Sequence, residues 1–272
     1  MSEHTGLHLA VRAFELLLGW SLALQCLEYG RIARLDRVND WAVLRREIPA
    51  RPAWVRPVLD ALLTPARYRA LIALRLALAL LLALGWLMGG LGLAGALLLF
   101  AIALVLLLRW RGAFNGGSDF MTLVGLTGLL IAHSVGAFMG METGWRAGLW
   151  YIALQSLTSY FMSGWVKLLH PSWRSGRALP QFLDTGMYGP LPAHSAYRKP
   201  LVAMAVSLAF TVWEGLFPLA LLDVRLAALF CAVASVFHFL VFRFFGLNRF
   251  FWAWMTSYPA ILWAASQRFT GL

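Results

Sequence analysis

A lysine, a histidine and a tryptophan follow one another at the end of an apolar segment, in "YFMSGWVKLLHPSWRSG" (residues 160–176). Lys167 lies near the end of the apolar run, and His170 and Trp173 follow at intervals of three residues. A lysine at a helix end commonly extends its ammonium group to the membrane surface as an anchor. A lysine shielded in a pocket can instead be held neutral and act as a general base. The residues alone leave both interpretations open.

Other ionisable side chains lie inside apolar segments, where a charge requires a partner, water or a function. Glu214, in "TVWEGLFPL", has no cation nearby in its own segment and therefore needs one from another helix. His133 and His238 each stand alone in an apolar run, where a neutral, hydrogen-bonded packing role competes with a role as a ligand. Within the apolar segments there is no HxxxH or ExxH pattern and no carboxylate cluster, so no metal site is predicted.

Several polar residues have a structural interpretation. Arg12 and Glu15 are three apart and would neutralise each other on one helix face. Arg75 lies one to two turns inside the end of its segment, from which its side chain can reach the surface. Asn115 begins an Asn-Gly-Gly turn, and Asp119 can cap the helix that follows.

The composition is that of a membrane protein. Of 272 residues, 61% are hydrophobic and 13% are charged, about half the charged share of a soluble domain. The net charge of +11 is spread over short segments between apolar runs, without a basic patch interleaved with aromatic residues. This pattern excludes nucleic-acid binding and indicates a lipid bilayer as the surroundings.

Eight apolar segments are long enough to cross a bilayer, and helices are the economical way to do so because lipid offers the backbone no hydrogen bonds. They lie near residues 7–29, 69–89, 91–109, 120–140, 146–168, 201–222, 226–245 and 248–267. The sequence therefore predicts an all-α, polytopic membrane helix bundle that forms a single domain over residues 1–272. It shows no paired broken helices that would favour a transporter.

The distribution of basic residues predicts the orientation. The loops after the first, third, fifth and seventh segments hold 17 Lys and Arg residues, whereas the opposite side holds three, Arg146, Arg225 and Arg268. Because positive loops stay in the cytoplasm, residues 30–68 and 169–199 are predicted to be cytoplasmic and both termini to face outward. The first of these loops is either an amphipathic helix on an anionic membrane surface or a partly ordered connector.

The lysine–tryptophan segment resembles a pattern of the vitamin K-dependent gamma-carboxylases and their bacterial relatives, the horizontally transferred transmembrane (HTTM) proteins. The matching positions are Tyr160, Ser163–Gly164, Lys167–Leu168, Trp173 and Gly176. "SVFHFLVFRFFGLNRFF" is similar to the family's Phe-His segment, and "VRAFELLLGW" looks like its first span. The resemblance covers most of the chain in order, and it implies a bacterial inner-membrane protein.

The resemblance implies that Lys167 is the base that deprotonates a reduced quinone and that His238 contacts the quinone or an intermediate. Gly116 and Gly117 stand where the carboxylases have a histidine, and this chain lacks their large substrate-recognition domain. The predicted cytoplasmic position of Lys167 is also opposite to theirs. These departures argue against carboxylation of glutamate.

Two hypotheses follow. The first is a quinol-linked oxidoreductase or peptide-modifying enzyme with Lys167 as base and a pocket of His238, Trp173, Glu214 and His133. The second is a non-catalytic membrane subunit or scaffold, which the 13 tryptophans would suit as anchors and helix contacts. The second predicts a membrane-protein partner, and only the first predicts a bound quinone.

Overall fold

The computed structural model describes residues 3–33, 41, 45–47, 53–85, 90–109 and 116–267. Within these residues the chain is helical and has no strand. The α-helices are α1 (Glu3–Ile32), α2 (Val55–Leu62), α3 (Pro65–Ala83), α4 (Gly92–Arg109), α5 (Gly116–Met139), α6 (Met141–Leu169), α7 (Pro171–Arg174), α8 (Ala178–Asp184), α9 (Pro200–Gly215), α10 (Val224–Phe245), α11 (Asn248–Met255) and α12 (Tyr258–Ser266). Short 3₁₀ helices lie at Arg45–Glu47, Ala196–Arg198 and Phe217–Leu222.

Four of the described helices are long and apolar enough to cross a membrane, which indicates a helical integral membrane protein. They cover His4–Ile32, Gly92–Arg109, Gly117–Met139 and Val224–Phe245. The other predicted segments are more polar or shorter: α3 carries three arginines, α6 includes Lys167 among several hydroxyl side chains, and α9 has 16 residues. A total of eight spans therefore stays a prediction.

Two of the predicted spans are not continuous α-helices in the structure. The sixth changes from α9 to the 3₁₀ helix Phe217–Leu222, and the eighth divides into α11 and α12. Pro218 and Pro259 stand at the start of the second piece in each case. Proline has no backbone N–H and clashes with the preceding turn, so a new helix begins there instead of the old one continuing.

The chain divides into two compact units, and an expected single membrane domain stays a prediction. The first unit comprises residues 1–148 and 252–256. In it α1 packs along α3, and α4 packs against α5. Gly19 allows the α1–α3 approach, because a Cβ there would lie 2.8 Å from the Cβ of Ala83. Phe14, Leu18 and Leu22 are fully buried.

Part of the predicted first loop is helical in this unit. The α2 helix buries Leu59 in a cluster that includes Cys26, Tyr29 and Tyr68, and it exposes Trp54 beside it. Residues 55–62 are thus helical. The apolar face of this helix packs on the protein core, and its contact with an anionic membrane surface stays a prediction.

The second unit comprises residues 149–251 and 257–272. Its helix α10 packs against α12 and against the 3₁₀ helix Phe217–Leu222. Asp223 caps α10 by accepting hydrogen bonds from the backbone N–H groups of Arg225 (2.7 Å) and Leu226 (3.4 Å). The fully buried rings of Tyr160 and Phe217 stack with 3.8 Å between their centroids. This packing positions the C-terminal half of α6.

Candidate functional site

One face of α6 carries three polar side chains into the second unit. Tyr160, Ser163 and Lys167 are spaced by three and four residues, which aligns them along a single side of a helix. Tyr160 is buried, and Ser163 and Lys167 are partly buried. The helix therefore presents a line of polar groups to its neighbours.

Lys167 and Glu214 form an ion pair between α6 and α9. Lys167 Nζ lies 2.5 Å from Glu214 Oε2, and it also donates to Ser163 Oγ at 2.7 Å. Ser163 Oγ in turn donates to Glu214 Oε1 at 3.0 Å. The side chain of Glu214 is 4% exposed and that of Lys167 is 19% exposed. The carboxylate is thus held by two donors, and the ammonium group keeps partial access to its surroundings.

Two aromatic rings flank the Lys167 ammonium group. Its Nζ lies 4.9 Å from the centroid of Phe210 and 5.6 Å from that of Trp173. A cation within about 6 Å of a ring face is attracted by the ring's quadrupole. The carbonyl of Trp173 accepts a hydrogen bond of 2.6 Å from Ser207 Oγ, which ties its segment to α9. The two rings form aromatic walls beside Lys167, and the Glu214 carboxylate balances its charge.

Gly164 allows α6 and α9 to come close enough for this pair. A Cβ at that position would lie 2.8 Å from the carbonyl oxygen of Thr211 and would also contact the backbone nitrogen of Gly215. Small residues at a helix contact let backbones approach closely in membrane proteins. The sequence pattern Ser-Gly followed by Lys therefore combines a donor, a close contact and a cation within one turn.

A second polar group lies further along the same face of α6. Tyr160 Oη is hydrogen-bonded to His238 Nε2 at 2.6 Å and to Tyr258 Oη at 3.1 Å. These three buried side chains join α6, α10 and α12. His238 contacts Phe250 edge to face with 5.0 Å between the rings. The histidine predicted to be a packing residue or a ligand is thus hydrogen-bonded inside an aromatic cluster.

No family model, no curated protein and no solved structure matches this chain.

The remaining predicted site residues belong to the first unit or lie outside the described residues. His133 packs against Trp145 with 5.6 Å between the ring centroids, so it takes part in the packing of the first unit. Arg12 Nη1 donates to Glu15 Oε2 at 2.8 Å, as a pair on one helix face would. Asp119 is buried in the first turn of α5, and its capping role stays a prediction. Asn115 lies outside the described residues.

Arg75 is the residue that the sequence interpretation misplaced. The residue is 2% exposed. Its side chain therefore does not reach the surface, contrary to the expectation from the sequence. Nη2 donates to Gln25 Oε1 at 2.9 Å, and the guanidinium carbon lies 5.8 Å from the centroid of Tyr29. The signal available in the sequence was Gln25 itself, a polar residue in the middle of an apolar segment.

The arrangement in the second unit can hold or exchange a proton. Lys167 and Glu214 contact each other directly, so one proton can lie on the amine or on the carboxylate without leaving the pair. Among the described residues there is no group of three or more His, Cys, Asp or Glu that could hold a metal ion. An amine in contact with a carboxylate is an arrangement that acid–base chemistry can use.

Proposed function

We propose that this protein is an HTTM-like enzyme of the bacterial inner membrane that binds a lipid-soluble quinol and deprotonates it with Lys167. The observation that supports this is the combination of partial exposure, a carboxylate in contact and two aromatic walls at Lys167. A flat aromatic ligand packs well against aromatic side chains, and an amine beside its hydroxyl group can take the proton.

The proposed step begins with a proton transfer inside the ion pair. The Lys167 ammonium passes its proton to Glu214, which leaves a neutral amine and a neutral carboxylic acid. Burial brings a desolvation penalty for the charged forms of the two groups, and the proposed transfer relieves it. The amine then accepts the proton of a quinol hydroxyl group, and the quinolate oxygen keeps the electron pair of the broken O–H bond.

Other residues have supporting roles in this proposal. Ser163 donates to Glu214 and accepts from Lys167, so it orients both groups. Trp173 would form a wall of the quinol site beside Phe210. His238, through Tyr160, would hold the face of α6 in place and contact the quinone as the family resemblance implies. A contact of His133 with the quinone stays a prediction.

The proposed orientation rests on the charge bias of the loops. With 17 basic residues against three, residues 30–68 and 169–199 face the cytoplasm and both termini face outward. Lys167 then lies near the cytoplasmic surface of the membrane, close to the basic residues that follow α6.

A non-catalytic subunit or scaffold is the alternative, and one observation favours it. Lys167 and Glu214 already satisfy each other and join α6 to α9 where Gly164 brings the backbones together. A pair of this kind can serve as a helix clamp without any substrate. In that case a second membrane protein would be the expected partner.

Mass spectrometry of the gently solubilised native protein tests the two functions together. We expect a stoichiometric quinone or quinol that is lost in Lys167→Ala and in His238→Ala but retained in the control Lys199→Ala. Lys199 is an exposed lysine of the same unit. A stoichiometric partner polypeptide without any quinone would overturn the enzyme and favour the subunit.

Deprotonation has its own test. Under argon, a short-chain quinol added to the wild-type protein should give the ultraviolet spectrum of the quinolate at a lower pH than it does with Lys167→Arg. Arginine keeps the positive charge and cannot act as a base near neutral pH. Equal spectra for wild type and variant would contradict the role of Lys167 as a base.

A further inference from the structure

Two histidines lie one turn apart at the start of the first helix. His4 and His8 are four residues apart in α1, which places them on the same helix face. Both side chains are exposed. The candidate span that they begin has 29 residues and is about 43 Å long, whereas the hydrocarbon core of a bilayer is about 30 Å thick. The helix therefore extends beyond the hydrocarbon, and its polar first turns can meet water and dissolved ions.

The distance between the two rings suits one metal ion bound by both. Their centroids lie 4.4 Å apart, with an angle of 51° between the ring planes. With metal–nitrogen bonds of about 2.0–2.1 Å, two imidazoles bound at roughly 90–110° around one ion have centroids about 4.5–5 Å apart. Small rotations of exposed side chains cover the remaining difference. In helical zinc motifs, two histidines with this spacing bind one ion from one helix face.

A carboxylate adds negative charge near the histidine pair. Glu142, in the first turn of α6, interacts electrostatically with both His4 and His8. Its carboxylate also accepts from Arg146, whose Nη2 lies 2.8 Å from Glu142 Oε1. In the described part of the chain, no group of three or more His, Cys, Asp or Glu could hold a metal ion. The pair therefore offers two protein ligands, and water has to complete the coordination.

We propose that His4 and His8 bind one late first-row transition-metal ion, of the class of Cu²⁺, Ni²⁺ and Zn²⁺. Imidazole nitrogen suits these ions, whereas Mg²⁺ and Ca²⁺ prefer oxygen ligands. Cu²⁺ should bind more tightly than Ni²⁺ or Zn²⁺. The bound ion bridges two turns of α1 and stabilises this end of the helix by mass action. The proposal is independent of the proposed quinol chemistry, in which neither histidine takes part.

Metal titration of the purified full chain tests the proposal. The protein carries no polyhistidine tag and is kept in a neutral detergent and a buffer that does not chelate metals. Calorimetry should show one Ni²⁺ or Zn²⁺ bound per chain and no binding of Mg²⁺. His4→Ala and His8→Ala should each weaken binding by at least about tenfold, because even the loss of a group behind a ligand costs that much.

A matched variant keeps the composition and changes only the geometry. His8→Leu/Leu9→His retains both histidines, but it turns the second one by about 100° around the helix axis, away from His4. It should bind as weakly as His8→Ala does. His170→Ala and His194→Ala each remove an exposed histidine of the second unit and should bind metal as the wild type does.

The charges beside the pair supply a finer test. Glu142→Gln should weaken binding a few-fold, and Arg146→Gln should strengthen it a few-fold, because the first removes an attractive charge and the second a repulsive one. Both residues are at the surface, so water screens their effect. Opposite signs for these two variants would place the metal ion elsewhere and contradict the proposal.

A spectroscopic measurement on the wild type needs no variant to fold. Electron spin echo spectroscopy of the protein loaded with one Cu²⁺ should detect two coordinated imidazoles. One imidazole or none would overturn the proposal. So would the lack of stoichiometric Ni²⁺ and Zn²⁺ binding by the wild type, or equal binding by the wild type and His8→Leu/Leu9→His.

Discussion

Lys167, which is partly buried, and Arg75, which is buried, are both cations on helices, and their contacts differ. Lys167 contacts a carboxylate, a hydroxyl group and two rings, and its carboxylate partner has a second donor. Arg75 Nη2 donates to the neutral amide of Gln25, and its Nε and Nη1 have no hydrogen-bond partner among the described residues. The charge of Lys167 is thus met by a carboxylate in direct contact, whereas the hydrogen bond that the structure gives Arg75 goes to a neutral group.

This difference predicts that substitutions at the two sites lower the free energy of unfolding by different amounts. Removing a carboxylate from a buried pair leaves an uncompensated charge, which is far more costly than removing the whole pair. Arg75 has no such pair to break. Substitutions at Glu214 and at Arg75 should therefore change the free energy of unfolding by clearly different amounts.

The largest expected effect is that of Glu214→Gln. It leaves the Lys167 ammonium group without its counter-charge and should lower the free energy of unfolding by about 3 kcal/mol, at the low end for a buried pair because Lys167 is 19% exposed. The double variant Lys167→Met/Glu214→Met should lie within about 1 kcal/mol of the wild type. Chemical unfolding in mixed detergent, monitored by tryptophan fluorescence, measures both. A double variant as unstable as Glu214→Gln would show that the pair itself stabilises the fold.

The double variant also separates folding from function. It should fold and fail to bind quinone, because it lacks both the base and its proton acceptor. If it binds quinone as the wild type does, Lys167 and Glu214 are not part of the quinone site.

A smaller effect is expected for Arg75→Met. The unsatisfied guanidinium donors disappear and the amide of Gln25 loses one hydrogen bond, so the free energy of unfolding should change by no more than about 1 kcal/mol. The same unfolding measurement applies. A loss as large as that of Glu214→Gln would mean that Arg75 is fully compensated by the chain, and the comparison between the two cations would fail.

The smallest effect is expected for an exposed pair in the segment after α6. Asp184 accepts a hydrogen bond from the backbone N–H of Leu191 at 2.9 Å and one from Arg198 at 2.8 Å. These interactions, the backbone bond first, lower the pKa of the Asp184 carboxyl group below its usual value of 3.8. The carboxylate therefore stabilises the folded chain above that value, and this contribution is lost as the pH falls through the lowered pKa.

Asp184→Asn should consequently flatten the dependence of stability on pH below about pH 4, with little change at pH 7, because exposed pairs contribute little. Thermal unfolding between pH 3 and pH 7 provides the measurement, with the pH range chosen around the usual pKa of aspartate. A steeper acid dependence in the variant than in the wild type would contradict a lowered pKa of the Asp184 carboxyl group.

The sequence predicted where the helices lie and which ionisable residues are inside them. Apart from the Arg12–Glu15 pair, it did not predict which residues those ionisable groups contact. The length of the apolar segments marks where α1, α4, α5 and α10 lie, and a charge inside such a segment is visible without a structure. Lys167 and Glu214 were each recognised, but 47 positions separate them, and no local pattern specifies which helix faces which. Tertiary packing decides that, with Gly164 at the contact.

Arg75 shows why the burial and the contacts of such residues could not be predicted from the sequence. Its distance from the end of its own segment suggested that the side chain could reach the surface. The structure packs α1 along α3, and that neighbour covers the arginine. Similarly, the breaks at Pro218 and Pro259 follow from proline's missing backbone N–H and its clash with the preceding turn, which a hydropathy profile does not report.

The polar face of α6 determines how well the protein tolerates the insertion of a residue within this helix. Each residue of an α-helix turns the chain by about 100°. One codon inserted between Tyr160 and Ser163 would keep Tyr160 in place and rotate Ser163 and Lys167 together away from Glu214. A leucine inserted there changes neither charge nor hydropathy appreciably, yet it should be as damaging to this site as deleting the lysine.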